Sequence, residues 1–220
     1  MLGRLPDLKA RFNPAAVTGA APGVAGFFAL AAMPARYALE RGAWAEAAAL
    51  RPTATEYQYP EALTYFAQAL GAARTNNPQV ARAAIDSLAA LSARLQAKND
   101  AYWTEQVQIQ RVAAQAWLEF AQGRRDAALT QMREAATRED ATEKAAVTPG
   151  PLAPARELLG EMLMELGRPA EALAEFRAAL TREPNRYRTL DGARAAATAA
   201  GDAAAATEYE RQIAALTGGR

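Results

Sequence analysis

Apolar side chains recur every three or four positions along most of this chain, in stretches separated by short breaks rich in glycine, proline or asparagine. Segment 154–185 shows the pattern most clearly. Its first half has an apolar stripe at helical spacing, formed by Leu158, Leu159, Met162, Leu163 and Leu166. Its second half has another, formed by Ala172, Leu173, Phe176, Ala179 and Leu180. Gly167-Arg168-Pro169 separates the two stripes, so the pattern predicts a helical hairpin.

Four weaker copies of this hairpin are predicted elsewhere in the chain. They cover 27–41 with 44–50, 62–74 with 79–95, 112–140 around Gly123, and 190–216 around Gly201. Gly167 and Gly201 are 34 positions apart, whereas Gly123 and Gly167 are 44 apart, so 141–150 is predicted to be an extra, ordered loop. Segment 51–59 is predicted to be a second loop, and 1–23 to be irregular apart from a short helix at 6–11.

Segment 154–185 resembles a tetratricopeptide repeat, a 34-residue helix–turn–helix unit. The matching residues are Leu159, Gly160, Leu163, Gly167, Ala172, Phe176, Ala179 and Pro184. The spacing has a physical reason: Gly160 and Ala172 let two helices approach closely, and Pro184 cannot continue a helix. The resemblance implies an all-α, right-handed α-solenoid of about five hairpins over residues 24–220.

A closer resemblance is to a group of bacterial tetratricopeptide proteins of uncharacterised function, and specifically to their C-terminal part. Three stretches carry it, at 35–42, 67–74 and 147–162. Those relatives often have histidines, including one just before the loop at 147–150, where this chain has Ala145-Ala146. No role of those histidines can be transferred, and the resemblance supplies no substrate.

Composition excludes several classes of function. The 25 basic and 24 acidic residues give a net charge of +1, which provides no general attraction to nucleic acid or to a lipid surface. Cysteine and histidine are absent, so disulfides, thiolate chemistry, Cys/His metal sites and histidine-based catalysis are excluded. No clustered Asp-x-Asp spacing suggests a metal held by oxygen ligands. The longest apolar run, 24–33, is too short to span a membrane.

The tetratricopeptide resemblance also implies which side chains would face a concave groove. They are Phe66, Trp117, Phe120, Glu157, Glu161, Met164 and Glu165. Three of these are carboxylates on one helix, which fits a groove for a basic peptide or an amine. The alternative is that they form a solvated helix face. A cradle for a peptide C-terminal carboxylate would need basic residues at these positions.

Aromatic residues cluster in two parts of the sequence. Tyr102 and Trp103 precede Trp117 and Phe120, and an upstream group comprises Tyr57, Tyr59, Tyr65 and Phe66. They could form an apolar floor for a ligand or a partner helix, or serve as ordinary packing between repeats. The acidic residues Asp100, Glu105, Glu119 and Asp140 could in principle supply a catalytic pair, but nothing in the sequence fixes their separation.

The sequence therefore predicts a non-catalytic, cytoplasmic interaction or scaffolding module that binds a peptide or partner protein, without a cofactor or metal. Two alternatives stay open. One is self-association through the alanine-rich segment 193–206, giving a homo-oligomer. The other is small-molecule binding in an aromatic pocket around Trp117 and Phe120.

Overall fold

The computed structural model describes residues 23–143 and 150–218, and in these residues the protein is all-helical, with no strand. The ten helices are α1 (Val24–Glu40), α2 (Trp44–Ala49), α3 (Gln58–Arg74), α4 (Pro78–Ala97), α5 (Ala101–Ala121), α6 (Arg125–Asp140), α7 (Ala155–Glu165), α8 (Pro169–Arg182), α9 (Tyr187–Ala199) and α10 (Ala203–Thr217). The predictions for 1–22 and for the loop segment 144–149 lie outside the described residues.

The chain forms two compact units, Met1–Ala128 (unit 1) and Leu129–Arg220 (unit 2), with the boundary inside α6. In unit 1, the helices α1 to α5 pack successively against one another, and α3 also contacts both α1 and α5. In unit 2, α7 to α10 pack in the same successive way, and α7 contacts α9. Adjacent helices pair, and first helices of neighbouring hairpins touch, so the predicted all-α fold is confirmed for the described residues, and its packing is consistent with a helical repeat.

The hairpin turns share one backbone conformation. A residue with positive φ occupies each of them: Gly42 (62°), Asn76 (54°), Gly123 (81°), Gly167 (71°) and Gly201 (78°). The next residue in each turn donates its N–H to the carbonyl five positions earlier, as in Arg168 to Leu163 at 2.9 Å. This is the helix-ending motif that glycine favours, and asparagine tolerates the same conformation. The turns predicted from the sequence are therefore confirmed, including the one without glycine.

The helix starts differ from the prediction in the second hairpin. The predicted loop 51–59 ends early, because α3 begins at Gln58 and includes Pro60 in its first turn, where a missing N–H costs nothing. The second helix begins at Pro78, and the Asn77 side chain caps it by accepting from the Val80 N–H at 3.3 Å. Both prolines were predicted to lie outside the helices, whereas Pro60 lies in the first turn of α3 and Pro78 begins α4.

Glycines mark the closest helix contacts in both units. A Cβ on Gly160 would lie 2.8 Å from the Phe176 ring, and one on Gly192 would lie 2.7 Å from the same ring, so Phe176 sits between a glycine of its own hairpin and one of the next. In unit 1, a Cβ on Gly71 would lie 2.5 Å from the Trp44 carbonyl oxygen. The small residue predicted at 160 is therefore required by packing, and Gly71 has the same role between α3 and α2.

Helix α3 forms the centre of unit 1. Most of its residues are buried, including Leu70, Ala73 and Phe66, the residue that the resemblance assigned to a groove. The contacts of α3 with α1, α2, α4 and α5 explain the burial. Helix α3 therefore belongs to the core of unit 1.

Candidate functional site

Six aromatic rings gather where the first helices of unit 1 begin, and we call this group the aromatic edge. Its members are Phe27, Phe28, Tyr57, Tyr59, Tyr102 and Trp103. The rings of Tyr59 and Trp103 stack with centroids 3.8 Å apart and planes 5° from parallel. Phe28 contacts both of these rings, at 6.0 and 6.5 Å. Three helices that are distant in sequence thus contribute to one aromatic surface.

Two further ring pairs extend the aromatic edge on either side of this stack. Phe27 lies 5.5 Å from Tyr57, and Tyr102 lies 4.9 Å from Trp103 in an edge-to-face arrangement. Such tilted and edge-to-face pairs are favourable beyond the area they bury. Tyr59 is buried, whereas the other five residues are half-buried and keep surface exposed.

Polar contacts fix the backbone that carries these rings. The Asp100 carboxylate accepts from the Trp103 N–H at 3.2 Å and so caps α5 at its start. Before α3, the Thr55 hydroxyl accepts from the Tyr57 N–H at 3.0 Å, and Glu61 accepts from the Thr55 N–H at 2.8 Å. The aromatic edge is therefore held in place by local capping as well as by ring contacts.

The aromatic edge also changes the acidity of its central tyrosine. Burial raises the pKa of Tyr59 to about 12, and the nearby Tyr57 and Asp100 add to the increase. The phenol is therefore neutral at physiological pH. Half-buried rings of this kind can receive apolar side chains from another molecule, since aromatic residues combine large contact area with little loss of entropy.

A second aromatic group surrounds Arg74 at the end of α3. The guanidinium lies between two indoles, 4.2 Å from the Trp44 ring centroid and 4.0 Å from that of Trp117. Phe120 contacts Trp117 edge-to-face at 5.4 Å. Trp117 is only 2% exposed, and its indole Nε1–H finds no hydrogen-bond acceptor among the described residues.

The predicted groove aromatics thus have different surroundings. Phe66 and Trp117 are each 2% exposed, whereas Phe120 is half-buried. The structure separates Tyr57, Tyr59, Tyr102 and Trp103, which join the aromatic edge, from Trp117 and Phe120, which join Arg74. Sequence reasoning missed Phe27, Phe28, Trp44 and Arg74 as members of these two groups. The available signal was that each lies near a predicted helix end.

The predicted acidic face on α7 is largely engaged within unit 2. Glu157 is fully buried, and Arg186 holds its carboxylate with hydrogen bonds of 2.7 and 3.2 Å. The Thr189 hydroxyl donates to the same carboxylate, and Arg188 lies 3.6 Å away. Glu157 therefore joins the start of α9 to α7 by a buried ion pair.

The remaining predicted residues of α7 differ in exposure. Arg188 binds Glu161 at 2.7 Å, with both side chains largely buried. Met164 is half-buried, and Glu165 is exposed. The arginines that engage this face were missed by sequence reasoning, and their only signal was two basic residues at the beginning of the next hairpin.

The acidic residues considered for catalysis lie in separate surroundings. Asp100 caps α5, Asp140 pairs with Arg156 at 2.5 Å, and Glu119 binds Arg124. The hydrogen bond from Arg124 holds the pKa of Glu119 below its ordinary value. Within residues 23–143 and 150–218, no three acidic side chains come together in a way that could hold a metal ion.

The comparisons with known proteins give no relative. No family model matches the sequence, and no curated protein or solved structure matches it either. Of the helices in the described part of the chain, none has both the length and the apolar character needed to cross a bilayer.

Proposed function

We propose that this chain is a tetratricopeptide-like, right-handed solenoid that acts as a protein-interaction module, and that the aromatic edge is its main contact surface. The observation that supports this most directly is the convergence of six rings from three first helices, five of them half-buried. Clustered aromatics with exposed area are typical of the residues that dominate binding energy at protein interfaces.

The partner in this proposal is a protein segment that presents apolar side chains. Exposed rings favour apolar or aromatic groups, and an apolar patch built from fixed helices loses little entropy on binding. The face of α7 that carries Glu161, Met164 and Glu165 would be a secondary contact, because it retains exposed surface while Glu157 is buried. The proposed role needs no cofactor.

The test is a peptide-display selection on the wild-type protein, followed by affinity measurements on Trp103→Ala. Trp103 stacks on Tyr59, so its removal should weaken the selected peptides by about tenfold or more. Tyr187→Ala is the matched control, since Tyr187 is 52% exposed but lies in unit 2. Its effect should be less than twofold, as a rough expectation for a residue outside the contact surface.

The proposal fails if the selected peptides bind Trp103→Ala as well as wild type while circular dichroism shows that the variant is folded. If charge reversal at Glu161 and Glu165 abolishes binding instead, the contact surface is the α7 face. That result would retain an interaction function but remove the aromatic edge from it.

A second candidate function is small-molecule binding beside Trp117. The specific observation is the buried indole N–H without an acceptor, since an unsatisfied buried donor costs about 1–3 kcal/mol that a ligand acceptor could recover. Titration of small carbonyl and carboxylate compounds, followed by tryptophan fluorescence, tests it. Trp117→Phe should lose the response, and an unchanged response would exclude this site.

A further inference from the structure

Within unit 2, polar contacts that the proposed function does not use tie the end of α6 to α7 and α8. The Glu139 carboxyl accepts from the backbone N–H of Ala155, the first residue of α7, at 2.9 Å. Arg182 of α8 donates to the carbonyl oxygens of Asp140 and Thr142, both at 2.7 Å. One carboxyl thus connects α6 to the start of α7, and one arginine connects it to α8.

The charges around Glu139 are mostly negative. In the described residues, Asp140 and Glu183 act on it as like charges, and Arg182 as an opposite charge. The other nearby arginine, Arg156, is already shared between Asp140 and Glu175, at 2.5 Å from each. The Ala155 N–H and Arg182 therefore stabilise the charged form of Glu139. Burial and the carboxylates of Asp140 and Glu183 destabilise it.

We propose that this cluster is a pH-sensitive junction, which holds the end of α6 to the start of α7 in mildly acidic solution and loosens as the pH rises to neutral. The neutral carboxyl keeps an oxygen for the Ala155 N–H while adding no charge beside Asp140 and Glu183. The charged carboxylate is relieved of both repulsion and burial when the junction opens to solvent.

The direction follows from proton binding. Burial, together with Asp140 and Glu183, raises the pKa of Glu139 to about 7 in the folded junction, while an exposed glutamate ionises near its ordinary value. Between those two values the closed junction binds a proton that the open one does not. The opening equilibrium should therefore increase by about tenfold per pH unit from roughly pH 5 to pH 7, and level off above it.

The experiment is amide hydrogen exchange of Ala155 followed by NMR on the full chain, with protection factors corrected for the intrinsic pH dependence of exchange. Wild type should lose protection between roughly pH 5 and pH 7, with little further loss above it. Glu139→Gln retains a side-chain oxygen for the Ala155 N–H but cannot ionise, so its protection should not fall with pH. Glu134→Gln, on an exposed part of the same helix, should behave like wild type.

A direct titration provides an independent measurement if Glu139→Gln folds poorly. The side-chain carboxyl of Glu139 in wild-type protein, followed by carbon NMR, should have its midpoint near 7. A midpoint near the ordinary value for glutamate would overturn the proposal. So would Ala155 protection that stays constant with pH in wild type, or that falls equally in Glu139→Gln.

Discussion

The two units follow the same hairpin plan but join their hairpins with different chemistry. Unit 1 uses rings: the aromatic edge links α1, α3 and α5, and Arg74 lies between two indoles. Unit 2 uses ion pairs: Glu157 with Arg186 links α7 to α9, and Arg156 links α7 to both α6 and α8. Beyond residue 128 the chain has only Phe176, Tyr187 and Tyr209 as aromatics, so the difference begins in composition.

This difference shows that a helical repeat does not prescribe how neighbouring hairpins are held together. The turns are equivalent in both units, from Gly42 to Gly201. What varies is the set of side chains between first helices, which are apolar rings in unit 1 and buried carboxylate–guanidinium pairs in unit 2. The two kinds of contact should respond differently to mutation, pH and salt.

The largest expected effect comes from removing the buried charge in unit 2. Glu157→Ala removes the carboxylate that Arg186, 10% exposed, binds, and loss of one member of a buried pair costs about 3–5 kcal/mol. Urea denaturation followed by circular dichroism measures it. Glu165→Ala on the exposed side of the same helix should change stability by less than about 0.5 kcal/mol. A loss below about 1 kcal/mol for Glu157→Ala would mean that the pair is not structural.

Adding a methyl group at the helix contacts should have the next largest effect. At Gly71 the new Cβ meets backbone atoms of α2, which cannot turn aside, so Gly71→Ala should cost about 2–3 kcal/mol. At Gly160 it meets the Phe176 ring, and alanine recovers about 1 kcal/mol of helix propensity, so Gly160→Ala should cost about 1 kcal/mol. All three tryptophans lie in unit 1, so fluorescence reports the first variant and circular dichroism reports both. Equal losses of stability in Gly71→Ala and Gly160→Ala would contradict the expectation that backbone atoms yield less readily than a ring.

The cation between two indoles should contribute less. Arg74→Met keeps an apolar chain between Trp44 and Trp117 but removes the charge, and we expect a loss of about 1–2 kcal/mol in thermal unfolding. Arg41 lies over a single ring, that of Tyr37, on an exposed surface, so Arg41→Met should cost about 0.5 kcal/mol or less. A larger loss of stability in Arg41→Met than in Arg74→Met would show that placing the guanidinium between two rings does not strengthen the cation–π interaction.

The effect that is smallest at neutral pH is limited to alkaline solution. The pKa of Tyr59 is raised to about 12, so the folded protein keeps a phenolic proton that the unfolded chain, with an ordinary tyrosine, has released. The contribution of the Tyr59 phenol to the free energy of unfolding is fully present below pH 10 and is lost as the pH rises towards 12. Tyrosinate absorbance should show one late-ionising group, which Tyr59→Phe removes. Persistence of the late step in that variant would assign it to another tyrosine.

The fold could be read from the sequence to a considerable extent, because its determinants are local. Small residues such as Gly160 and the turns around Gly167 are visible within one repeat, and even the turn at Asn76 was predicted without glycine. The predicted start of α3 was wrong because proline suits both a loop and a first helical turn. The stacking of Tyr59 on Trp103, which favours the helical turn, is not visible in the local sequence.

The candidate site was less predictable, because its contacts join residues from different hairpins. Glu157 has the spacing of a solvated face, and only the arrival of Arg186, 29 positions later, shows that it is buried. In the same way, Phe28 and Trp103 are 75 positions apart and meet through the packing of α1 and α5 around α3. Spacing within a helix identifies a face, but not what covers it.

The position of Phe176 between Gly160 and Gly192 has a consequence for engineering. Because the ring lies against one glycine on each of two successive hairpins, that contact helps to align α9 on α8 independently of the turn between them. Pro184 and Asn185 in this turn are exposed. A short epitope or reporter inserted between them should therefore be accommodated, giving a labelling point inside the repeat array.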